Sequence, residues 1–413
     1  MGALADAALR NRGFDLPRAI ELPCVALCVA QLTFFAFSYL HGNWLVQPDG
    51  TLVANDFVNV WAAGQQVLHG HAAEAYDPKL HKLMEDAAVG HHFSGEYPWN
   101  YPPAFLIVAA ALGAVSLLAA NFVFLLLTFP LYIAALRAII PHRAALLFAC
   151  AFPGIVANVG AVQNGFLSAA LIGGALVLLE RRPVLAGVLI GCLTFKPHLG
   201  LLFPLVLVIG GHWRTIGAAA ATTVALALVA CVAFGPDIWA AFVHALPATS
   251  EAALTQGRAD FAKLQSLYAV VRMLGGGEHL GWTLHGIFGV LIALTVGIVW
   301  RSRVAYELKA AALSTGALLA TPYLFMYDLA ALAVPLAFLV RASIAADDLP
   351  RELLRIVPVC VLLVAFLAMK SPVGFAATLL VAGLVARRVA LSGLPSPVLC
   401  WPWARYRPSL PRS

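Results

Sequence analysis

FVFLLLTFPLYIAALRAII, residues 122–140, carries one charge, Arg137, in a stretch long enough to cross the roughly 30 Å hydrocarbon core of a bilayer as a helix. Apolar and polar residues do not alternate in it, which excludes a barrel strand and leaves the helix that satisfies its own backbone in lipid. The pattern recurs at 22–40, 104–120, 144–159, 166–179, 184–195, 199–209, 216–234, 284–300, 310–320, 329–340, 356–369 and 373–385. With 62% apolar and 11% charged residues over 413 positions and a mean hydropathy of +0.87, the chain reads as one all-α integral membrane domain, residues 1–413. A bundle of about 12 transmembrane helices is expected, some of them broken or half-crossing, as happens where a membrane protein lines a cavity.

The net charge of +6 does not imply a nucleic-acid partner, because the basic residues sit in short clusters between runs. Arg10/Arg12/Arg18, Arg137/Arg143, Arg181/Arg182, Arg214, Arg301/Arg303, Arg341/Arg351/Arg355 and Arg387/Arg388 mark the cytoplasmic side. Residues 42–102 and 235–282 then face outward, and 42–102 holds Asp49, Asp56, Glu74, Asp77, Glu85, Asp86 and Glu96 against only Lys79 and Lys82. Arg18 and Arg143 share a side only if one of the runs 104–120 and 122–140 crosses partially. Trp44, Trp61, Trp99, Trp239, Trp282 and Trp300 suit interfacial anchors. The first run lacks a small-residue cleavage site, so a retained span is expected. Cys24, Cys28, Cys150, Cys192, Cys231 and Cys360 read as small hydrophobes, and Cys400 lies in a basic tail. Neither a nucleophile elbow nor a phosphate-cradling glycine loop occurs, since Gly275-Gly276-Gly277 lacks the strand-turn-helix setting.

Chemistry concentrates in the 42–102 loop. From Asn55 to Leu68 the residues Phe57, Val60, Trp61, Gly64 and Leu68 fall on one helical face, predicting a short amphipathic juxtamembrane helix on the membrane, capped by Asn55 or Asp56. Asp56 reads either as that capping carboxylate or as a general base tuned by an apolar surface. His69, His71, His81, His91 and His92 match no compact zinc spacing, so no metal is expected.

Asn55-Asp56-Phe57, Gly70 followed by Tyr76-Asp77-Pro78, Tyr101-Pro102-Pro103, Gln163-Asn164-Gly165, Gly187 through Lys196-Pro197, and Thr321-Pro322-Tyr323 together resemble glycosyltransferase family 87. That family comprises polytopic GT-C enzymes, including polyprenol-phosphate-mannose-dependent mannosyltransferases. The resemblance makes Asp56 the catalytic base, since the family's base is the acidic residue of the first outward loop. Where the family often has a late histidine, this chain reads Tyr323-Leu324-Phe325-Met326-Tyr327-Asp328.

What the resemblance implies is transfer of a sugar, mannose or another hexose or pentose, from a polyprenyl phosphate to a lipid-linked or glycan acceptor by one inverting displacement. Neither cofactor nor metal is expected, and the partners are membrane lipids, the donor and the acceptor. The expected place is the bacterial inner (cytoplasmic) membrane, with the site facing the periplasm or exterior and acting in envelope assembly. Lys196 and His198, at the outward end of a run where Pro197 ends the helix, are candidates for the donor phosphate, as is Arg258. Lys263 and Arg272 flank Gln265-Ser266-Leu267, which resembles a family segment, but read as solvated. Gln163, Asn164, Tyr323, Tyr327 and Asp328 are candidates for sugar or acceptor hydroxyls, with Asp328 alternatively pairing with a cation. The rivals are a secondary transporter or lipid-linked-sugar flippase, which should show two similar halves with ionisable groups at the midplane, and a non-catalytic scaffold subunit.

Overall fold

The computed structural model describes residues 18–392 apart from 258, 259, 347, 368 and 370, so Arg10, Arg12, Arg258 and Cys400 lie outside the described residues. Among the described residues the regular structure is helical, joined by irregular segments that carry isolated bridges such as Leu264 with Phe325. After α1 (Arg18–Leu40) the 42–102 loop forms α2 (Val58–Leu68) and α3 (Pro78–Val89), followed by α4 (Phe105–Gly113), α5 (Leu117–Ile139), α6 (Ala144–Ala151), α7 (Ile155–Ala161) and α8 (Gly165–Leu178). Then come α9 (Pro183–Cys192), α10 (Phe203–Gly210), α11 (Trp213–Phe234), α12 (Asp237–Ser250), α13 (Leu267–Met273), α14 (Glu278–Arg301), α15 (Tyr306–Leu319), α16 (Ala333–Ala345), α17 (Leu349–Phe366) and α18 (Val373–Leu391).

Six described segments are long and apolar enough to cross a bilayer: α1, α5, α11, α14, α18 and Met326–Ala345, in which a 3₁₀ stretch runs into α16. A seventh results if α6 and α7, bent by 61° at their break, form one broken span. Helix length and composition thus account for six or seven of the about 12 crossings expected, and the larger count is not shown. Runs 166–179, 184–195 and 199–209 fold as short helices, Gly165–Leu178, Pro183–Phe195 and Pro197–Gly210, because Pro183, Pro197 and the left-handed Gly211 punctuate them. Of the two runs in conflict, α4 is the partial one and α5 the full one.

At one end of the bundle Arg341 donates to the Ile139 carbonyl (3.0 Å) and to Glu307 (3.1 Å), and the Tyr306 hydroxyl donates to the Leu176 carbonyl. The last turns of α5, α8 and α16 and the first turn of α15 thus meet there, among the basic clusters. Asp56, Lys196 and Tyr323 belong to the opposite end.

Helix α2 is not a surface helix. Val58, Asn59, Ala62, Ala63 and Gln66 are buried along with Val60 and Gly64, so protein encloses it on more than the predicted face. Gly64 lies against Gly113 of α4, and a Cβ at Gly64 would collide with the Ala109 carbonyl oxygen. We expect Gly64→Ala to lower stability by roughly 1–3 kcal/mol through overpacking. Gly217→Ala in α11, where nothing lies within 4 Å of an added Cβ, serves as the control, and thermal unfolding in detergent compares the two. Trp99 and Trp300, expected at the interface, are instead 2% and 5% exposed. Trp300 gives its indole N–H to the Lys309 carbonyl.

Candidate active site

The turn into α2 decides where Asp56 points. Asn55 accepts the Phe57 N–H (3.0 Å) through its side-chain oxygen and donates its amide to Asn121 of α5 (3.1 Å), while Asn121 donates to the Leu117 carbonyl (2.7 Å). Asn55 thus closes the turn that leads into α2, whose N-cap position is Phe57 without a side-chain cap bond, so the helix is capped by neither Asn55 nor Asp56 as expected. No side-chain cap bond comes from Asp56, which faces a cavity of about 370 Å³, with Asn59 one helical turn on.

The cavity is walled by Glu96, Tyr97, Pro98, Asn100, Tyr101 and Pro102, by Phe195–His198 with Gln163, by Phe242, Leu246 and Ser250 of α12, and by Lys263, Tyr323, Phe325 and Tyr327. Burial raises the Asp56 carboxyl above the ordinary carboxylate range, and the positive charges of Lys263 and Lys196 oppose the rise. Burial likewise pushes the Tyr97 phenol up to about 12, with Asp56 and Glu85 adding to the shift. Tyr97 is thus a neutral O–H donor at neutral pH.

Lys196 is 5% exposed, and its ammonium stands 2.6 Å from Asp328 and 4.7 Å over the Tyr327 ring. Asp328 is fully buried, accepts the Phe325 N–H (3.3 Å), and does not itself line the cavity. Of its two expected roles, pairing with a cation is the one observed. His198 lines the cavity with a buried Nε2 that has no hydrogen-bond partner among the described residues, beside the Tyr323 ring. Tyr323 shares its hydroxyl with Ser250 (2.7 Å).

Gln163 and Asn164 follow Val162, whose left-handed backbone (φ 48°) ends α7. Gly165 then fits against the Tyr327 carbonyl, where a Cβ would clash, and donates to Asn158 (2.7 Å). Gln163 reaches the cavity wall and accepts from the Tyr101 hydroxyl (3.1 Å) and the Asn164 N–H (3.1 Å). Asn164 sits one layer behind, donating to the Tyr101 hydroxyl (2.7 Å). Sequence reading placed these two as ligands without anticipating the tyrosine between them.

Lys263, expected to be solvated, is instead a wall residue, because the Leu264 to Phe325 bridge and the Gln265 N–H to Leu324 carbonyl bond (2.6 Å) tie its segment to the late motif. Arg272 stays outside the cavity, donating to the Thr255 carbonyl (3.1 Å) and lying over Phe261. Gln265 is structural: its side chain accepts the Gly374 N–H (2.8 Å) and donates to the Ala262 carbonyl (2.7 Å). Asn59, Tyr97, Asn100 and Ser250 were missed. Of these only Asn59, at i+3 from Asp56, carried a local signal. Among the described residues no group of three or more His, Cys, Asp or Glu is placed to hold a metal ion.

The glycosyltransferase family 87 model matches residues 99–322, more than half of the chain, taking in Tyr101, Gln163, Lys196, His198 and Lys263 but stopping short of Asp56 and Tyr327. Comparison with curated proteins and with solved structures found no match. The chain belongs to glycosyltransferase family 87 and is a multi-pass membrane glycosyltransferase.

Proposed function

We propose that the cavity transfers a hexose or pentose, mannose being the family's example, from a polyprenyl phosphate to a lipid-linked or glycan acceptor, on the outer face of a bacterial inner membrane. The observation that carries the reading is one carboxyl group, Asp56, facing the positive charges of Lys263 and Lys196 across a largely aromatic and apolar enclosure. Asp56 takes the acceptor hydroxyl proton as the acceptor oxygen bonds to the anomeric carbon. The bond from that carbon to the phosphate oxygen breaks, with its electron pair leaving on the phosphate. One base suffices for such an inverting displacement. The rings of Tyr97, Tyr101, Tyr323 and Tyr327 offer faces for the sugar, and Gln163 and Asn59 offer amides for its hydroxyls. Lys196 and His198 stand on the phosphate side of this arrangement.

Lys263 takes a larger share of the phosphate than sequence reading gave it, because Lys196 is already matched by Asp328. Lys263→Ala is expected to weaken donor use roughly tenfold, read as KM. It should also move the acidic limb of the activity profile to higher pH. Lys263 stabilises the Asp56 carboxylate, so its loss raises the Asp56 pKa, and the base is then protonated at a higher pH.

The reading is tested with purified protein in lipid nanodiscs, given polyprenyl-phosphate mannose, glucose or arabinose with extracted membrane lipids as acceptors. A new glycosidic bond formed by wild type and lost in Asp56→Asn supports it. Movement of those lipids across vesicle membranes without any new bond overturns it in favour of a flippase.

A further inference from the structure

One stretch of the cavity wall that Asp56 shares is a segment without helix or ladder. Glu96, Tyr97, Pro98, Asn100, Tyr101 and Pro102 line the cavity with irregular backbone, which needs other partners to stay in one place. Two side chains from outside the cavity hold it. The Tyr76 hydroxyl donates to the Tyr101 carbonyl (2.9 Å), and the Glu85 carboxyl accepts the Tyr97 N–H at 3.1 Å and 3.4 Å through its two oxygens. Glu85 is fully buried on α3 and is not a wall residue.

We infer that Glu85 is a positioning residue for transfer: by gripping the Tyr97 N–H it fixes the 96–102 wall so that the Tyr97 hydroxyl faces Asp56. The inference rests on the transfer reading given above.

The support for Glu85 is a relay back to the helix that carries Asp56. His81 contacts the Gln66 side-chain oxygen of α2 through Nδ1 (2.9 Å) and turns Nε2 towards Glu85 (3.7 Å). Residues 90–95 are tied down on the other side, where Lys82 pairs with Asp86 (2.9 Å) and lies 3.0 Å over the Phe93 ring. Asp77 caps α3 through the Lys79 and Leu80 N–H groups, and left-handed Gly90 ends it, so the helix presenting these groups has fixed ends. Asp56 and Tyr97 are thus braced from one cluster, Asp56 through α2 and Tyr97 through Glu85.

Burial pushes the Glu85 carboxyl up to about 8 and the His81 imidazole down to about 4, which makes both neutral near pH 7. A glutamine has the shape of the neutral acid and keeps an acceptor for Tyr97, so Glu85→Gln should preserve the brace. Glu85→Ala should release it, since a shift of about 1 Å at a reacting centre costs roughly 100-fold.

Hydrogen exchange of the 93–102 peptide in the purified protein reads the brace without any substrate. Protection at Tyr97 should be lost in Glu85→Ala and kept in Glu85→Gln. Transfer from the polyprenyl-phosphate sugars should fall roughly 100-fold in kcat in the alanine variant and stay within about threefold in the glutamine variant. Unchanged protection in Glu85→Ala, or full transfer despite lost protection, overturns the inference. If the alanine variant does not fold, the glutamine variant decides, because loss of Tyr97 protection or of transfer in a folded Glu85→Gln protein also overturns it. Transfer surviving in Asp56→Asn would instead sink the reading of the cavity, whatever the exchange shows.

Discussion

Asp56→Asn is expected to lower kcat for sugar transfer by about 10³-fold or more, with donor binding little changed and the fold intact. The side chain makes no capping bond, since Asn55 holds the Phe57 N–H, so the amide replaces the carboxyl without loosening α2. What it removes is the acceptor for the hydroxyl proton. Burial raises the Asp56 carboxyl above the usual carboxylate range, making it a stronger base than a solvated aspartate, while the charges of Lys263 and Lys196 oppose the rise. The base works only when ionised, so wild-type activity should fall as pH drops through this raised value, giving an acidic limb above the roughly pH 4 of an ordinary aspartate. Product formation followed by chromatography across pH 4 to 8 measures both effects. Retention of more than about a tenth of wild-type kcat in a folded Asp56→Asn protein removes Asp56 as the base.

The class of the fold was legible because lipid permits so few backbone solutions: nineteen residues such as 122–140 with one arginine leave little but a helix. The number of crossings was not legible, because apolar length alone does not distinguish a spanning helix from one enclosed by protein. Gly165–Leu178 and Pro183–Phe195 are as apolar as any span, yet both are shorter than a full crossing, and the first is buried along most of its length. Asp56 could be singled out because the resemblance places the base in the first outward loop, and Lys196 because a charge in an apolar run is costly wherever it sits. Asp328 appeared in the same way, but nothing local says that its partner is 132 positions away. Lys263 shows the reverse failure: in a polar loop a lysine is cheap anywhere, and only the Leu264 to Phe325 bridge, a long-range pairing, turns it to the cavity. The wall from Glu96 to Pro102 was hidden for a similar reason, as irregular backbone has no period to detect and its anchors lie on α3 and in the Ala72–Tyr76 turn.

The Lys196 and Asp328 pair should give the largest stability effect. Asp328→Ala leaves a buried ammonium with its carboxylate partner gone, and Lys196→Ala leaves a fully buried carboxylate. Each single substitution is expected to cost about 3–5 kcal/mol, because the charge that remains has been taken from water without compensation. The double variant Lys196→Met with Asp328→Leu removes both charges and fills similar volume, so it should recover most of that loss. Stability and transfer then separate. If Lys196 also serves the donor phosphate, the double variant unfolds near the wild-type temperature yet uses the polyprenyl-phosphate donor poorly. If the lysine is only a structural partner for Asp328, stability and transfer recover together, and the phosphate role passes to Lys263 and His198. Thermal unfolding in detergent and donor KM on wild type, the two alanine variants and the double variant distinguish these outcomes. A double variant as unstable as either single one would show that the pair is not the source of the loss. The expected result is recovery of stability without recovery of donor use, because Lys196 lies in the cavity wall with its charge acting on Asp56, whereas Asp328 stands behind it.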